Sequence, residues 1–342
     1  MEQSLRGVRK PRCVPGLDAT VPSPPVSHLA QAHLRFLEGR CSRRAPLLFI
    51  SNGHELTIVD PEGFLKVGGI RIFYRSEGEP ARGTILGLHG GPGGSYDYLT
   101  PLFDLAKEGY RVVLYDQSGG GKSQRLKDPA LYSVERYVEE AEGVRRSLKL
   151  GKVHIYGHSW GGMLALAYAL KYQGNLRSLI LSGTASSIPL LERELQSLLP
   201  ADVRRVVAKY ESEGDFQHPE YLAAVEKFYH LHMCLLDPWP ESLKYLFENF
   251  SLPVLNTMMG PNAAVTTGNM RYWDVTDRLR SLRLPCLILC GDRDFLTPRV
   301  HEVMHEKIRN SRLVVMKGAS HMSMWEARDV HVRNLADFLN SI

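Results

Sequence analysis

The sequence predicts an α/β architecture: a mostly parallel central sheet with helices on both faces, interrupted by an inserted all-helical cap. Three observations predict it. Short β-branched or leucine-rich runs, bounded by Gly, Pro or Asp, recur along the chain. Stretches of helical period alternate with them, an arrangement that covers both faces of a parallel sheet. Between about Ser186 and Arg271 the strand signal disappears while helical patterns continue. An interruption of that kind reads as an insertion, so the predicted division is 55–185 with 272–342 as the core, and 186–271 as the cap.

The predicted strands are, in order, Leu56 to Val59, Gly69 to Arg75, Gly83 to Leu88, Arg111 to Tyr115, Lys152 to Tyr156, Leu176 to Leu181, Leu284 to Cys290 and Arg312 to Met316. Ser133 to Leu148 places Val134, Tyr137, Val138, Ala141, Val144 and Leu148 on one stripe, the 3.6-residue period of an amphipathic helix. Met163 to Leu170 is apolar all round and predicts a buried helix. In the insertion, Leu190 to Leu199 and Tyr221 to His232 predict amphipathic helices; the second carries Tyr221, Val225, Phe228, Tyr229 and His232 on one face.

Composition narrows the function classes. With 342 residues, 44% of them hydrophobic, the chain can bury a substantial core, which excludes disorder, collagen and a disulfide miniprotein. No stretch approaches the roughly 20 apolar residues of a membrane span. Five cysteines, an odd number with no C-x-x-C pair, argue against a disulfide framework or zinc knuckle and for a reducing, cytoplasmic setting. The net charge of +5 is local: residues 1–50 hold 8 Lys+Arg against 3 Asp+Glu, leaving 34 of each in the rest. A neutral body gives nucleic acid nothing to bind. Residues 1–54 read as a basic, Pro-rich, mostly disordered extension. Its composition has some transit-peptide character, yet its one apolar run, Pro46 to Ile50, is too short for a secretory signal.

The sharpest local signal is Gly157-His158-Ser159-Trp160-Gly161-Gly162, which follows a predicted strand and opens the buried helix. A serine on so tight a turn is strained and exposed, and the residues two before and two after must be small. Ser159 is therefore the candidate nucleophile. It needs a base, and the base an orienting carboxylate, in the chain order Ser, Asp or Glu, His. The strand Leu284 to Cys290 runs into Gly291-Asp292-Arg293-Asp294, and the last strand into Lys317-Gly318-Ala319-Ser320-His321. Both loops leave the carboxyl ends of strands, where active sites of open α/β sheets collect. His321 is the candidate base and Asp294 its partner, with Asp292 the rival that would instead form a structural turn. His158, beside the serine, is expected to pack or bond locally. His89 to Gly94 follows the strand Gly83 to Leu88, and its glycines free backbone N–H groups to face a developing oxyanion. Gly91, with the amide of Trp160, is the predicted donor pair. Ser118 to Ser123 is not a phosphate loop, because Asp116 stands where the first glycine is required.

With these residues in place, the chain resembles a known family. His89 to Ser95, Tyr115 to Ser123, Gly157 to Gly162, Gly291 to Asp294 and Gly318 to His321 are similar to segments of the proline iminopeptidases. These are α/β-hydrolase-fold serine peptidases that include the tricorn-interacting aminopeptidases. The likeness runs from about Phe64 to the C-terminus and includes Met259-Gly260-Pro261-Asn262 and Trp273 to Asp277 in or near the cap. It implies release of an N-terminal residue, often proline, from short peptides, with Ser159, Asp294 and His321 as triad and Gly91 and Trp160 as oxyanion donors. It implies no metal and no organic cofactor. The cap would restrict access to small substrates. In one respect the chain departs from the tricorn-interacting group, where two glutamates recognise the substrate's ammonium. Those positions here are Ala263 and Phe295, which cannot pair with a cation; Glu211, Glu213 or Asp215 are candidate replacements. An amidase or esterase indifferent to a free amino terminus is the alternative this departure leaves. A catalytically silent member of the fold is disfavoured, since no element of the elbow or triad is missing.

Overall fold

The computed structural model describes residues 60–261 and 264–342. The predicted strand Leu56 to Val59, the 1–54 extension and Ala263 lie outside the described residues. Eight strands form one sheet in the order β1-β2-β4-β3-β5-β6-β7-β8. They are β1 (Glu62–Val67), β2 (Ile70–Glu77), β3 (Gly83–Leu88), β4 (Tyr110–Tyr115), β5 (Val153–His158), β6 (Leu176–Ser182), β7 (Cys286–Gly291) and β8 (Ser311–Met316). β1 pairs antiparallel with β2, and β2 with β4. Every later pairing is parallel. β1 was not anticipated from the sequence; its side chains alternate between exposed and half-buried, so it lacks a strong apolar run.

The helices are α1 (Val134–Ser147), α2 (Trp160–Tyr172), α3 (Ile188–Leu198), α4 (Ala201–Glu213), α5 (Pro219–His232), α6 (Glu241–Glu248), α7 (Leu252–Met258), α8 (Pro298–Lys307), α9 (Ser323–Glu326) and α10 (Arg328–Asn340). A 3-10 segment, Asp97–Glu108, follows β3. α1 begins where the Ser133 side chain accepts from the Arg136 amide, and it buries all six residues of the predicted stripe. α2 is buried on nearly every side, which is why no amphipathic period marks it. Leu86, Leu88, Val113, Ile155, Leu179 and Ile288 join α1 and α2 in one apolar cluster. Leu105, Leu114, Tyr156, Leu287 and Phe338 belong to another, with residues of the 3-10 segment and α10. Between β6 and β7 the described chain forms α3 to α7, and a β-bridge joins Ser187 to Asp274 near the two ends of that stretch. α4 and α5 bury Val203, Val207, Tyr210, Tyr221, Ala224 and Phe228 in a separate small core. No helix among the described residues is long and apolar enough to cross a membrane.

The strand order places the site. β3 lies between β4 and β5, so the chain leaves β3 for one neighbour and returns on its other side. The carboxyl ends of β3 and β5 flank that reversal, where open α/β sheets form their crevice.

Candidate active site

Ser159 is the junction between β5 and α2. Its backbone sits at φ 56°, ψ −126°, outside the regions an L-residue adopts without strain. Packing explains how the chain tolerates this. A methyl group on Gly157 would stand 2.2 Å from the Gly161 carbonyl oxygen, and one on Gly161 would stand 2.1 Å from that of Leu88. The turn therefore closes only with both positions bare. Hydrogen bonds fix it: the Ser159 amide donates to the Ser182 carbonyl at 3.0 Å, and the Thr184 hydroxyl donates to the Ser159 carbonyl at 2.7 Å. Ser159 itself stays half-buried among buried neighbours.

Asp294 follows β7 and His321 follows β8, and the two meet. His321 Nδ1 lies 2.9 Å from Asp294 Oδ1, which also accepts the Leu296 amide at 2.8 Å. Both residues are only 2% exposed. Burial disfavours charge on each partner. It pushes the imidazole below its ordinary value, so the ring is neutral at pH 7, with its Nδ1–H given to the carboxylate. It pushes the carboxyl up, and His301 nearby and the Leu296 amide on Oδ1 oppose that rise. Asp292 is spent elsewhere: its Oδ1 accepts the Gly318 amide at 2.8 Å in the neighbouring turn.

Gly183, unsuspected from the sequence, lies against this pair. It follows β6 at φ 48°, and a methyl group there would stand 2.9 Å from Asp294 Oδ2 and 3.0 Å from His321 Nδ1. Since Ser182 holds the Ser159 amide, one short β6 loop touches the turn at Ser159 and the Asp294–His321 pair. The signal that could have found Gly183 is its position, immediately beyond the carboxyl end of a central strand.

The loop after β3 approaches from the other side. A methyl group on Gly90 would stand 2.7 Å from Ser159 Cβ, so only glycine lets this backbone reach the serine. Gly91 is half-buried at φ 60°. Trp160 is the first residue of α2, and a first helical amide has no intrahelical acceptor. His89 braces the loop. Its Nε2 accepts the Gln117 amide at 3.0 Å, the Gln117 side chain returns a bond to the His89 carbonyl, and Gln117 also accepts the Trp160 indole N–H. Burial pushes the His89 imidazole down to about 4. Asp116 accepts the Tyr96 and Lys122 amides, and burial lifts its carboxyl to about 6. The stretch Tyr115 to Ser123 thus acts as scaffolding for the β3 loop. Gln117 was missed as a contributor because its partners come from distant strands.

Aromatic side chains cover these groups. The Phe295 ring centroid lies 4.3 Å from that of His321 and 6.3 Å from that of Phe228 on α5. Phe250, between α6 and α7, lies so near Gly91 that a methyl group on that glycine would stand 2.5 Å from its ring.

Comparison with known proteins bears on the family and the fold. The family model described as "alpha/beta hydrolase fold" matches residues 83–328. A protein named proline iminopeptidase from Thermoplasma volcanium is 44% identical over 285 residues, spanning 81% of this chain and 96% of that one. Among solved structures, VinJ superposes with a TM-score of 0.79 at 30% identity, over 82% of this chain and 99% of VinJ. A proline iminopeptidase from Mycobacterium smegmatis superposes at 0.76 and 29% identity, over 82% of this chain and 98% of that one. Fold, coverage and identity together place this chain in the proline iminopeptidase family of α/β-hydrolase-fold hydrolases.

Proposed function

We propose that this chain is a serine hydrolase that releases an N-terminal residue, proline by preference, from short peptides through an acyl-Ser159 intermediate. The observation that carries the serine mechanism is the backbone of Ser159: a strained, half-buried residue at a strand-to-helix turn, tied through Ser182 and Gly183 to a buried His–Asp pair at 2.9 Å. Backbone strain of about 1–3 kcal/mol persists only where surrounding structure enforces it, and it clusters at functional sites.

In the first step His321 Nε2 takes the Ser159 hydroxyl proton as Oγ attacks the scissile carbonyl. Asp294 holds the tautomer that leaves Nε2 bare and stabilises the imidazolium that forms. The Gly91 and Trp160 amides receive the carbonyl oxygen as it becomes an oxyanion; donors of this kind contribute about 3–4 kcal/mol each. The intermediate collapses, His321 passes its proton to the leaving amine, and the shortened peptide departs. Water, deprotonated by His321, then attacks the acyl group; the free acid leaves and Ser159 recovers its proton.

The proline preference rests on the family named above. Helices α3 to α7, within 186–271, are assigned as the cap, with Phe228 and Phe250 limiting the space over Phe295 and Gly91. The buried free thiols Cys234, Cys286 and Cys290 support a cytoplasmic location. A specific observation favours a second reading. The Phe295 ring rests on His321, where the tricorn-interacting relatives are expected to carry a carboxylate for the substrate's ammonium. An amidase or esterase that ignores the amino terminus would need no such carboxylate. Turnover of prolyl anilide beside its N-acetyl counterpart separates the two. Exclusive use of the free amine supports the aminopeptidase; preference for the acylated compound removes it in favour of the second reading.

A further inference from the structure

The β3 loop, the end of β5 and the loop after β8 are tied together by a buried hydrogen-bonded chain that the reaction does not consume. The Gly90 amide donates to the Tyr98 hydroxyl oxygen. Tyr98 Oη lies 2.8 Å from His158 Nδ1, and His158 Nε2 lies 3.0 Å from the His321 carbonyl oxygen. A carbonyl only accepts, so Nε2 carries the His158 proton. Nδ1 of the neutral ring must then accept, so Tyr98 donates its hydroxyl proton to it, and its oxygen remains to accept from Gly90. Every proton in the chain has one possible direction.

Burial protects that order. His158 is 0% exposed and Tyr98 1%. Desolvation, with His321 beside it, pushes the His158 imidazole well below its ordinary value, so the ring stays neutral. The His158 and His321 rings are 4.5 Å apart, centroid to centroid. Tyr98 is also anchored at its backbone: the Trp325 indole N–H, four residues past His321, donates to the Tyr98 carbonyl at 2.7 Å. Two routes therefore join the His321 segment to Tyr98, one through His158 and one through Trp325.

We propose that Tyr98 and His158 are positioning residues, whose hydrogen-bonded pair sets the separation between the Gly90–Gly91 backbone and the His321 backbone. The oxyanion donor and the base approach Ser159 from different loops, and nothing in either loop alone fixes their distance. The Tyr98–His158 bracket does. A mismatch matters most in the transition state, because a displacement of about 1 Å at a reacting group can cost about a hundredfold in rate.

The inference rests on the proposed roles of Ser159, His321 and Gly91, so the experiment first asks whether a fluorophosphonate labels Ser159 in the wild-type protein. Failure to label removes those roles and the bracket with them. With labelling in hand, Tyr98→Phe keeps the ring and deletes the hydroxyl. Its kcat should fall about tenfold to a hundredfold while KM stays within about twofold, the split expected when only transition-state stabilisation is lost. A residue that merely packs would lower the melting temperature without that split. A folded Tyr98→Phe with unchanged kcat overturns the bracket and leaves Ser159 its role. His158→Gln is the second variant: its amide can still donate to the His321 carbonyl but leaves Tyr98 no acceptor at Nδ1, and the same kcat loss is expected. Imidazole 15N spectra of the wild-type protein decide the matter without any substitution. The His158 proton is expected on Nε2, and a proton on Nδ1 would reverse the chain and overturn the proposal.

Discussion

Glycine would adopt the backbone of Ser159 without strain, and alanine would inherit all of it. Ser159→Gly should therefore be more stable than Ser159→Ala by about 1 kcal/mol. That figure is the strain of about 1–3 kcal/mol less the 0.5–1 kcal/mol or so that glycine loses in chain entropy. Urea denaturation of the two variants checks it, and equal midpoints would show that the turn stores no strain. At Asp294 the expected effect is catalytic. Asp294→Asn keeps the shape but offers the ring an amide in place of a carboxylate, which no longer enforces the tautomer with Nε2 bare. Loss of kcat by about 10⁴ is expected, measured at saturating substrate; a loss below about tenfold would remove Asp294 from the mechanism. The sequence made Ser159, Asp294 and His321 legible because each follows a recognisable strand within a constrained motif. Gly183, Gln117 and Tyr98 were not legible, because what they touch is set by sheet order rather than by neighbouring residues.

α1 shows the opposite case, a unit readable in full. Its stripe from Val134 to Val144 repeats at helical spacing, and Ser133 marks its start. β1 was unreadable for a matching reason: an edge strand exposed along one face has no apolar run to reveal it. α4 was also passed over, although Val203, Val207 and Tyr210 keep a helical spacing, because Arg204, Arg205 and Lys209 dilute its apolar signal. Between α6 and α7, Phe250 lies against Gly91 of the β3 loop. Removing that ring should widen the approach to Gly91. Phe250→Ala is expected to raise kcat/KM for a tetrapeptide relative to a dipeptide amide by about threefold or more. An unchanged ratio would show that substrate length is limited elsewhere.

Six histidines are buried among the described residues: His89, His154, His158, His301, His321 and His331. Burial pushes all of them below their ordinary value, His89 and His154 to about 4. Unfolded, each would take a proton near pH 6.5. Each therefore contributes stability that is fully present above that pH and is lost as pH falls toward the folded value. Three buried acids act in the other sense. Burial lifts Asp116 to about 6, Glu140 to about 7 and Asp294 upward, so their contribution is present below their unfolded values, near 4, and is lost as pH rises through the folded ones. From pH 6.5 to about 4.5 the two sets partly offset. As pH falls through about 4 the acids become protonated in both states and their offset ends. The histidines, joined by carboxylates held low such as Glu142 beside Arg145 and Asp104 beside Arg328, go on losing their contribution, and stability should fall steeply. Urea midpoints from pH 7 to 3.5 should show a shallow slope and then a sharp one; a level profile to pH 3.5 would contradict the burial of these rings as neutral groups.

Fold class was readable at this scale because strand-helix alternation dictates a parallel sheet, whereas the strand order, with β3 between β4 and β5, was not. That order brings the loops bearing Gly91 and Ser159 together at the crevice, and the mechanism depends on what Ser159 does there. Peptide mapping by mass spectrometry after fluorophosphonate treatment addresses it directly. A single adduct on the peptide containing Ser159 is expected in the wild-type protein, with none in Ser159→Ala and a much slower one in His321→Ala. An adduct on any other residue, or equal labelling of Ser159→Ala, would contradict the covalent mechanism.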